Sequence, residues 1–143
     1  MKNILFLCTG NSCRSQMAEG FCRKHWGSSL NVYSAGTKKH GMNARAVKVM
    51  AEAGVDLSTH FSKTVDEISD VTFDVVVTVC DAAKETCPFF PGGKVVHVGF
   101  QDPPALTRDF SDEAETLAVY RRVRDEIEAF IRKLPETIGE FRS

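Results

Sequence analysis

Nothing in this sequence is long and apolar enough to cross a bilayer; its apolar runs stop well short of the roughly 20 residues a spanning helix needs. Met1-Lys2-Asn3 and the four apolar residues after it are too short for a secretory signal. Neither sign of charge is in excess. The formal net charge is −1, so there is no basic surface of the kind that nucleic acid or an anionic membrane attracts. Internal repeats, low-complexity tracts and inter-domain linkers are also missing, and the four histidines are scattered without a ligand pattern. These absences leave a cytoplasmic chain of one domain, 1–143, with no membrane or nucleic-acid partner and nothing that demands more than a monomer. At 43% hydrophobic and 26% charged it is long enough to bury a real core.

What is present is cysteine: Cys8, Cys13, Cys22, Cys80 and Cys87. A reducing compartment argues against a permanent disulfide framework, and so does the odd count. Metal ligation, catalysis and inert packing remain.

Residues 2–7 read as a buried strand and Arg14 to about Trp26 as a helix, with Met17, Ala18, Phe21, Cys22 and His25 at helical spacing. Residues 31–36 form a second strand. Asn43 caps a helix to about Ala53 whose inward face is Ala46, Val47, Met50 and Ala53. Thr64 and Glu67 make a capping box for a short helix over 64–69. The β-branched run 73–79 is a central strand, 95–98 a fourth strand, and 99–109 a loop holding Asp102-Pro103. A last helix opens at Asp112 and Glu115 and buries Leu117, Tyr120, Val123 or Arg124, Ile127, Phe130, Ile131 and Leu134 before Pro135. Alternation of this kind predicts an α/β fold, a four-stranded parallel sheet with helices on both faces. Ligands of such sheets bind at the carboxyl ends of the strands. Cys8, Cys80 and Asp102 each follow a strand, so chain order gathers two thiols and a carboxylate on one rim.

Between Cys8 and Arg14 lie Thr9, Gly10, Asn11, Ser12 and Cys13, a small polar loop running from a strand into a helix. Backbone N–H groups of such a loop converge on a tetrahedral oxyanion, and the Arg14 guanidinium matches two of its oxygens. The same field favours a Cys8 thiolate, lowering its pKa to roughly 3.5–7.5 in sites of this kind. Ser15 has a hydroxyl to donate to the sulfur. Cys80 and Cys87 read as a dithiol that takes up oxidising equivalents. Seven helical residues span roughly 10 Å, whereas bridged Cα atoms lie about 4.4–6.8 Å apart, so a Cys80–Cys87 disulfide must unwind any helix over 81–86. Asp102 is extended by the proline after it and is placed to act as a general acid, or is a plain turn aspartate. A zinc site built from Cys8, Cys13, Cys80 and Cys87 lacks the usual short spacing in both halves.

The stretch from Cys8 to Glu19 closely resembles the anion loop of thioredoxin-coupled arsenate reductases. The likeness continues through 31–36, Val77-Thr78-Val79-Cys80 with Cys87-Pro88, and Gly99-Phe100-Gln101-Asp102-Pro103. It implies the low-molecular-weight protein tyrosine phosphatase fold, a flavodoxin-like three-layer sandwich. It also implies a three-thiol relay. Cys8 attacks arsenate held by the loop and Arg14, with Asp102 helping an oxygen leave. Cys80 then attacks Cys8 and releases arsenite, Cys87 attacks Cys80, and thioredoxin reduces the final disulfide. No organic cofactor is implied; phosphate and sulfate are look-alike anions. Relatives that bind potassium use residues matching Asn11, Glu19 and Ser34 plus an aspartate. Lys63 stands where that aspartate would be, which speaks against the ion.

The rival enzyme is a low-molecular-weight phosphatase using Cys8, Arg14 and Asp102 on phosphotyrosine. Pro104-Ala105-Leu106 supplies no aromatic wall for that ring, and a phosphatase has no need of Cys87. Weak phosphatase activity beside the reductase is expected from the shared shape of the two anions. A non-enzymatic redox sensor passing on a Cys80–Cys87 disulfide is the reading from another class.

Overall fold

The computed structural model describes residues 1–80 and 93–139. Four parallel strands form one sheet: β1 (Lys2–Cys8), β2 (Leu30–Gly36), β3 (Val75–Thr78) and β4 (Lys94–His97), in the order β2-β1-β3-β4. The helices are α1 (Arg14–Trp26), α2 (Ala44–Glu52), α3 (Pro103–Leu106), α4 (Glu113–Arg132) and α5 (Leu134–Ile138), with a 3-10 turn at Val65–Ile68. The arrangement is the expected three-layer α/β fold. No helix among the described residues is long and apolar enough to cross a membrane.

Ile4, Leu5, Phe6 and Leu7 of β1 are fully buried, which stabilises the fold by about 1.5–3 kcal/mol for each large side chain. Strand β1 can be apolar on both faces because it is central, flanked by β2 and β3. The chain passes from β1 to one side, then returns to the other. The crevice between the carboxyl ends of β1 and β3 is therefore the topological switch point of the sheet. Cys8 ends β1, and Cys80 lies two residues beyond β3.

Helix α1 is buried without interruption from Ser15 to Cys22, because strands and helices enclose its first two turns. Its later turns meet α4, where the Trp26 indole donates to the Ile131 carbonyl at 2.7 Å. The α4 stripe is as expected at Leu117, Tyr120, Ile127 and Ile131; Phe130 is only partly buried and stacks edge-on against Phe100 instead.

Three local readings need correction. On α2 the third buried residue is Val49, with Val47 and Ala53 half-exposed, because the helix is rotated to seat Ala46 and Met50 deepest. The 99–109 segment is not all loop: Pro103 and Pro104 open the short helix α3, since a proline costs no hydrogen bond in a first turn. The last helix does not simply end before Pro135; it breaks at Lys133 and restarts as α5 with the proline in its first turn. The Thr64/Glu67 capping box is present, on a 3-10 turn. The helix expected over 81–86, and Cys87 with it, lie outside the described residues.

Candidate active site

Five residues connect β1 to α1, and the chain around them ties down their carbonyls. The Cys8 and Thr9 carbonyls accept from the backbone N–H groups of Thr37 and Lys38, Gly10 accepts from His40 at 3.1 Å, and Ser12 accepts from Asn43 at 3.1 Å. With the carbonyls consumed on the outside, the loop presents its amides to the inside. The first turn of α1 adds to them, because its N-cap, Cys13, makes no side-chain cap.

Asn11 makes this curvature possible. It sits at φ 50°, the left-handed region that asparagine tolerates better than most residues. Its fully buried side chain donates to Ser15 Oγ at 2.9 Å and Ser34 Oγ at 3.0 Å. Its Oδ1 accepts from Gln16 Nε2 at 2.9 Å and from the Lys63 backbone N–H at 3.0 Å. The Asn11 side chain, expected among the anion contacts, therefore faces the scaffold. Ser15 is bound to it there, also fully buried, with its own hydroxyl proton left to donate.

Arg14 lies across the mouth of the crevice. Its Nη1 donates to the Phe100 carbonyl at 3.0 Å, and its Nη2 stands 3.6 Å from Asp102 Oδ1. Its Nε is buried with no partner, an orphaned donor at the place where an oxyanion would supply an acceptor. Asp102 is extended, as expected, and makes no side-chain cap to α3; its carboxylate is 41% exposed at the cleft. The cleft is about 920 Å³ and is lined by Cys8, Cys80, Arg14, His40, Phe100 and Asp102 among others. It thus brings together the sequence-predicted residues of three separate strand ends.

The two thiols meet inside it. Cys8 and Cys80 both line its wall, close enough for one thiol to act on the other, and the Thr9 hydroxyl is 3.4 Å from Cys80 Sγ. That proximity changes the electrostatics expected of the loop. The neighbouring Cys80 thiol, with burial added to it, pushes the Cys8 thiol up, against the lowering pull of Arg14 and the Thr9 N–H. The isolated loop motif favours a thiolate; the second thiol and burial oppose it in this resting geometry. Cys13 is packed beneath the loop and pushed up to about 12 by burial and the Asp102 charge. Cys22 is core, on the far side of α1, also at about 12 through burial.

Behind the loop stands Glu19, almost wholly buried among Arg23 Nε at 2.9 Å, Lys63 Nζ at 3.7 Å and His60 Nδ1 at 3.7 Å. The Ser34 hydroxyl donates to it as well. The positions matching a potassium site do not fit that ion here: the Lys63 ammonium lies against both Glu19 and Ser34, and a cation beside it would meet like charge. Among the described residues no group of three or more His, Cys, Asp or Glu is placed to hold a metal ion.

Two functional supports escape sequence reasoning. His60 Nδ1 lies 3.0 Å from Gln16 Oε1, and Gln16 Nε2 donates to Asn11 and to the Phe61 carbonyl. Because the Gln16 oxygen is the acceptor, Nδ1 carries the proton. Gln16 could have been marked as a polar residue on the inner face of a buried helix turn. His60, 44 positions away, carries no local signal.

The chain matches the low molecular weight phosphotyrosine protein phosphatase family over residues 3–142. An arsenate reductase of Halalkalibacterium halodurans is 50% identical over 137 residues, covering 95% of this chain and 96% of its own. A solved arsenate reductase in the phosphate binding state superposes with a TM-score of 0.80 at 27% identity, over 99% of both chains. A thioredoxin-dependent arsenate reductase of Corynebacterium glutamicum superposes at 0.73 with 25% identity, over 96% of this chain and 62% of that one.

Proposed function

The chain belongs to the low molecular weight phosphotyrosine protein phosphatase family, and from that premise we propose that it is an arsenate reductase that works by a cysteine relay reset by thioredoxin. The observation that carries this reading is the second thiol. Cys8, Arg14 and Asp102 would serve a phosphatase equally well, but a hydrolase gains nothing from a second thiol, Cys80, lining the same cleft beside its nucleophile.

Arsenate enters as an oxyanion. The loop amides of residues 9–14 and the orphaned Arg14 Nε supply donors for its oxygens. Its negative charge close to the thiols opposes ionisation, so the Cys8 proton leaves to the bound arsenate or its neighbours as attack begins. The Cys8 sulfur bonds to arsenic(V), and one oxygen departs as water, protonated from Asp102. Ser15, held by Asn11, keeps a hydroxyl proton to offer the sulfur as charge develops there. Cys80 then attacks the Cys8 sulfur. An S–S bond forms, the S–As bond breaks, and its electron pair passes to arsenic, which leaves as arsenite. The Thr9 hydroxyl beside Cys80 Sγ stabilises the attacking thiolate. Cys87 attacks Cys80 next and frees Cys8. The Cys80–Cys87 disulfide is the substrate for thioredoxin, which supplies the two electrons.

The test is thioredoxin-dependent arsenate reduction by wild type, Cys8→Ser, Cys80→Ser and Cys87→Ser. All three variants should fail in multiple turnover, with Cys87→Ser still releasing about one arsenite per chain. Weak phosphatase activity on an aryl phosphate should survive Cys80→Ser and Cys87→Ser but not Cys8→Ser. Full multiple turnover by Cys87→Ser would refute the relay.

A further inference from the structure

We infer that the reduced site also binds trivalent arsenic directly, with the Cys8 and Cys80 sulfurs both bonded to one arsenic atom, so that the product returns and holds the enzyme idle. This rests on the reading of arsenate as substrate and adds a regulatory state to the same cleft.

Cys8 and Cys80 are 4% and 3% exposed, yet both line a cleft that opens to solvent. They belong to different strand ends held by β-sheet hydrogen bonds, and Val79 donates to the Leu7 carbonyl at 2.9 Å, one residue before each cysteine. The pair is therefore preorganised by the backbone. Trivalent arsenic is thiophilic and pyramidal, so two thiols that line one cleft at neighbouring strand ends suit it as a pair of ligands. Once the first S–As bond forms, the second closes within the site, at the high effective concentration of a tethered partner.

The reaction balances without a further reactant. Arsenous acid and two thiols give a bis-thiolate arsenic hydroxide and two waters. Two S–H and two As–O bonds break, two S–As and two O–H bonds form, and arsenic stays trivalent. Every species is neutral. That suits thiols whose surroundings resist ionisation, because no net charge is buried in the process. Arsenate needs the donors of the loop and Arg14; arsenite needs only the sulfurs. The cleft thus takes the two oxidation states through different atoms, and the product complex, its arsenic already trivalent, lacks the electron-transfer step that would release it.

Intact-mass spectrometry under native conditions, on protein reduced with a phosphine so that no small dithiol competes, tests this with sodium arsenite as the probe. One arsenic should add per wild-type chain, protecting Cys8 and Cys80 from alkylation, and arsenite should inhibit arsenate turnover. Cys8→Ser and Cys80→Ser should each bind arsenite at least about 10²-fold more weakly, while Cys87→Ser and Cys22→Ala retain the adduct. A phosphate-induced thermal shift reports whether each variant keeps its anion loop, and Cys80→Ala stands in if Cys80→Ser does not fold. No adduct on wild type overturns the inference, as does an adduct that survives Cys80→Ser or disappears with Cys87→Ser. Arsenate turnover without an adduct leaves the functional reading intact; an adduct on a protein that does not turn over arsenate overturns that reading alone.

Discussion

Lys63 and Glu19 form an ion pair behind the anion loop, 3.7 Å apart, with the Ser34 hydroxyl 3.5 Å from the same ammonium. The pair reaches the loop through Ser34, which accepts from Asn11 at 3.0 Å. Burial holds the Lys63 amine below its usual range while Glu19 pulls it back up. A tethered ammonium thus supplies the positive charge that Glu19 requires.

Potassium should leave turnover unchanged. Replacing sodium by potassium at constant ionic strength tests this, and a several-fold rise in kcat/KM would show a cation site that Lys63 does not block. In Lys63→Met the charge is gone, leaving Glu19 to Arg23 and His60. We expect a loss of stability of about 1–3 kcal/mol in urea titration.

Asn11 separates conformational from hydrogen-bonding contributions. Asn11→Gly keeps the left-handed backbone and loses four side-chain hydrogen bonds, to Ser15, Ser34, Gln16 and the Lys63 N–H. That should cost at least about 2 kcal/mol. Asn11→Ala loses the same bonds and adds about 1 kcal/mol of strain at positive φ. Equal stability of the two variants would show that the backbone conformation is not enforced.

The part of the site readable in advance is the part written in chain order. Cys8 to Arg14 is contiguous, and Cys80 and Asp102 follow strands whose apolar runs are plain, so parallel topology alone puts them on one rim. What could not be read depends on side chains distant in sequence. The upward shift of Cys8 comes first from a sulfur 72 positions away, which overrides the loop's local field. Asn11 faces inward because Ser34, Ser62 and Lys63 arrive from behind it. Val49 displaced Val47 on α2 because small rotations of an amphipathic helix are set by what it packs against, and periodicity leaves them open.

Stability should fall on mild acidification through His60. Burial holds this imidazole below its ordinary value of 6.5, with Glu19 opposing and Arg23 and Lys63 reinforcing the shift. Below that value the unfolded chain takes up a proton that the folded chain resists, so stability rises with pH across the window beneath 6.5 and is lost as pH falls through it. In His60→Asn an amide replaces the Nδ1 donor to Gln16 without titrating. Urea denaturation at about pH 7 and about pH 5 should show a smaller acid loss in the variant than in wild type. An identical loss in both would place the titration elsewhere.

Two glycines of the site should respond differently to a methyl group. A Cβ on Gly36 would stand 2.6 Å from the Thr9 carbonyl oxygen, 2.8 Å from that of Lys38 and 2.9 Å from the Asn11 nitrogen. All three are backbone atoms of the loop and of the segment that restrains it, so none can turn aside. A Cβ on Gly10 would come 2.3 Å from His40 Nδ1, which is closer, but His40 is an exposed side chain able to rotate. The shorter contact is therefore the cheaper one. Gly36→Ala should cost at least about 2 kcal/mol and abolish the phosphate-induced thermal shift, because relief comes only by displacing the loop. Gly10→Ala should retain the fold within about 1 kcal/mol, while weakening anion binding by moving His40 at the cleft. A reversed order of stability would mean that His40 is held more firmly than the loop backbone.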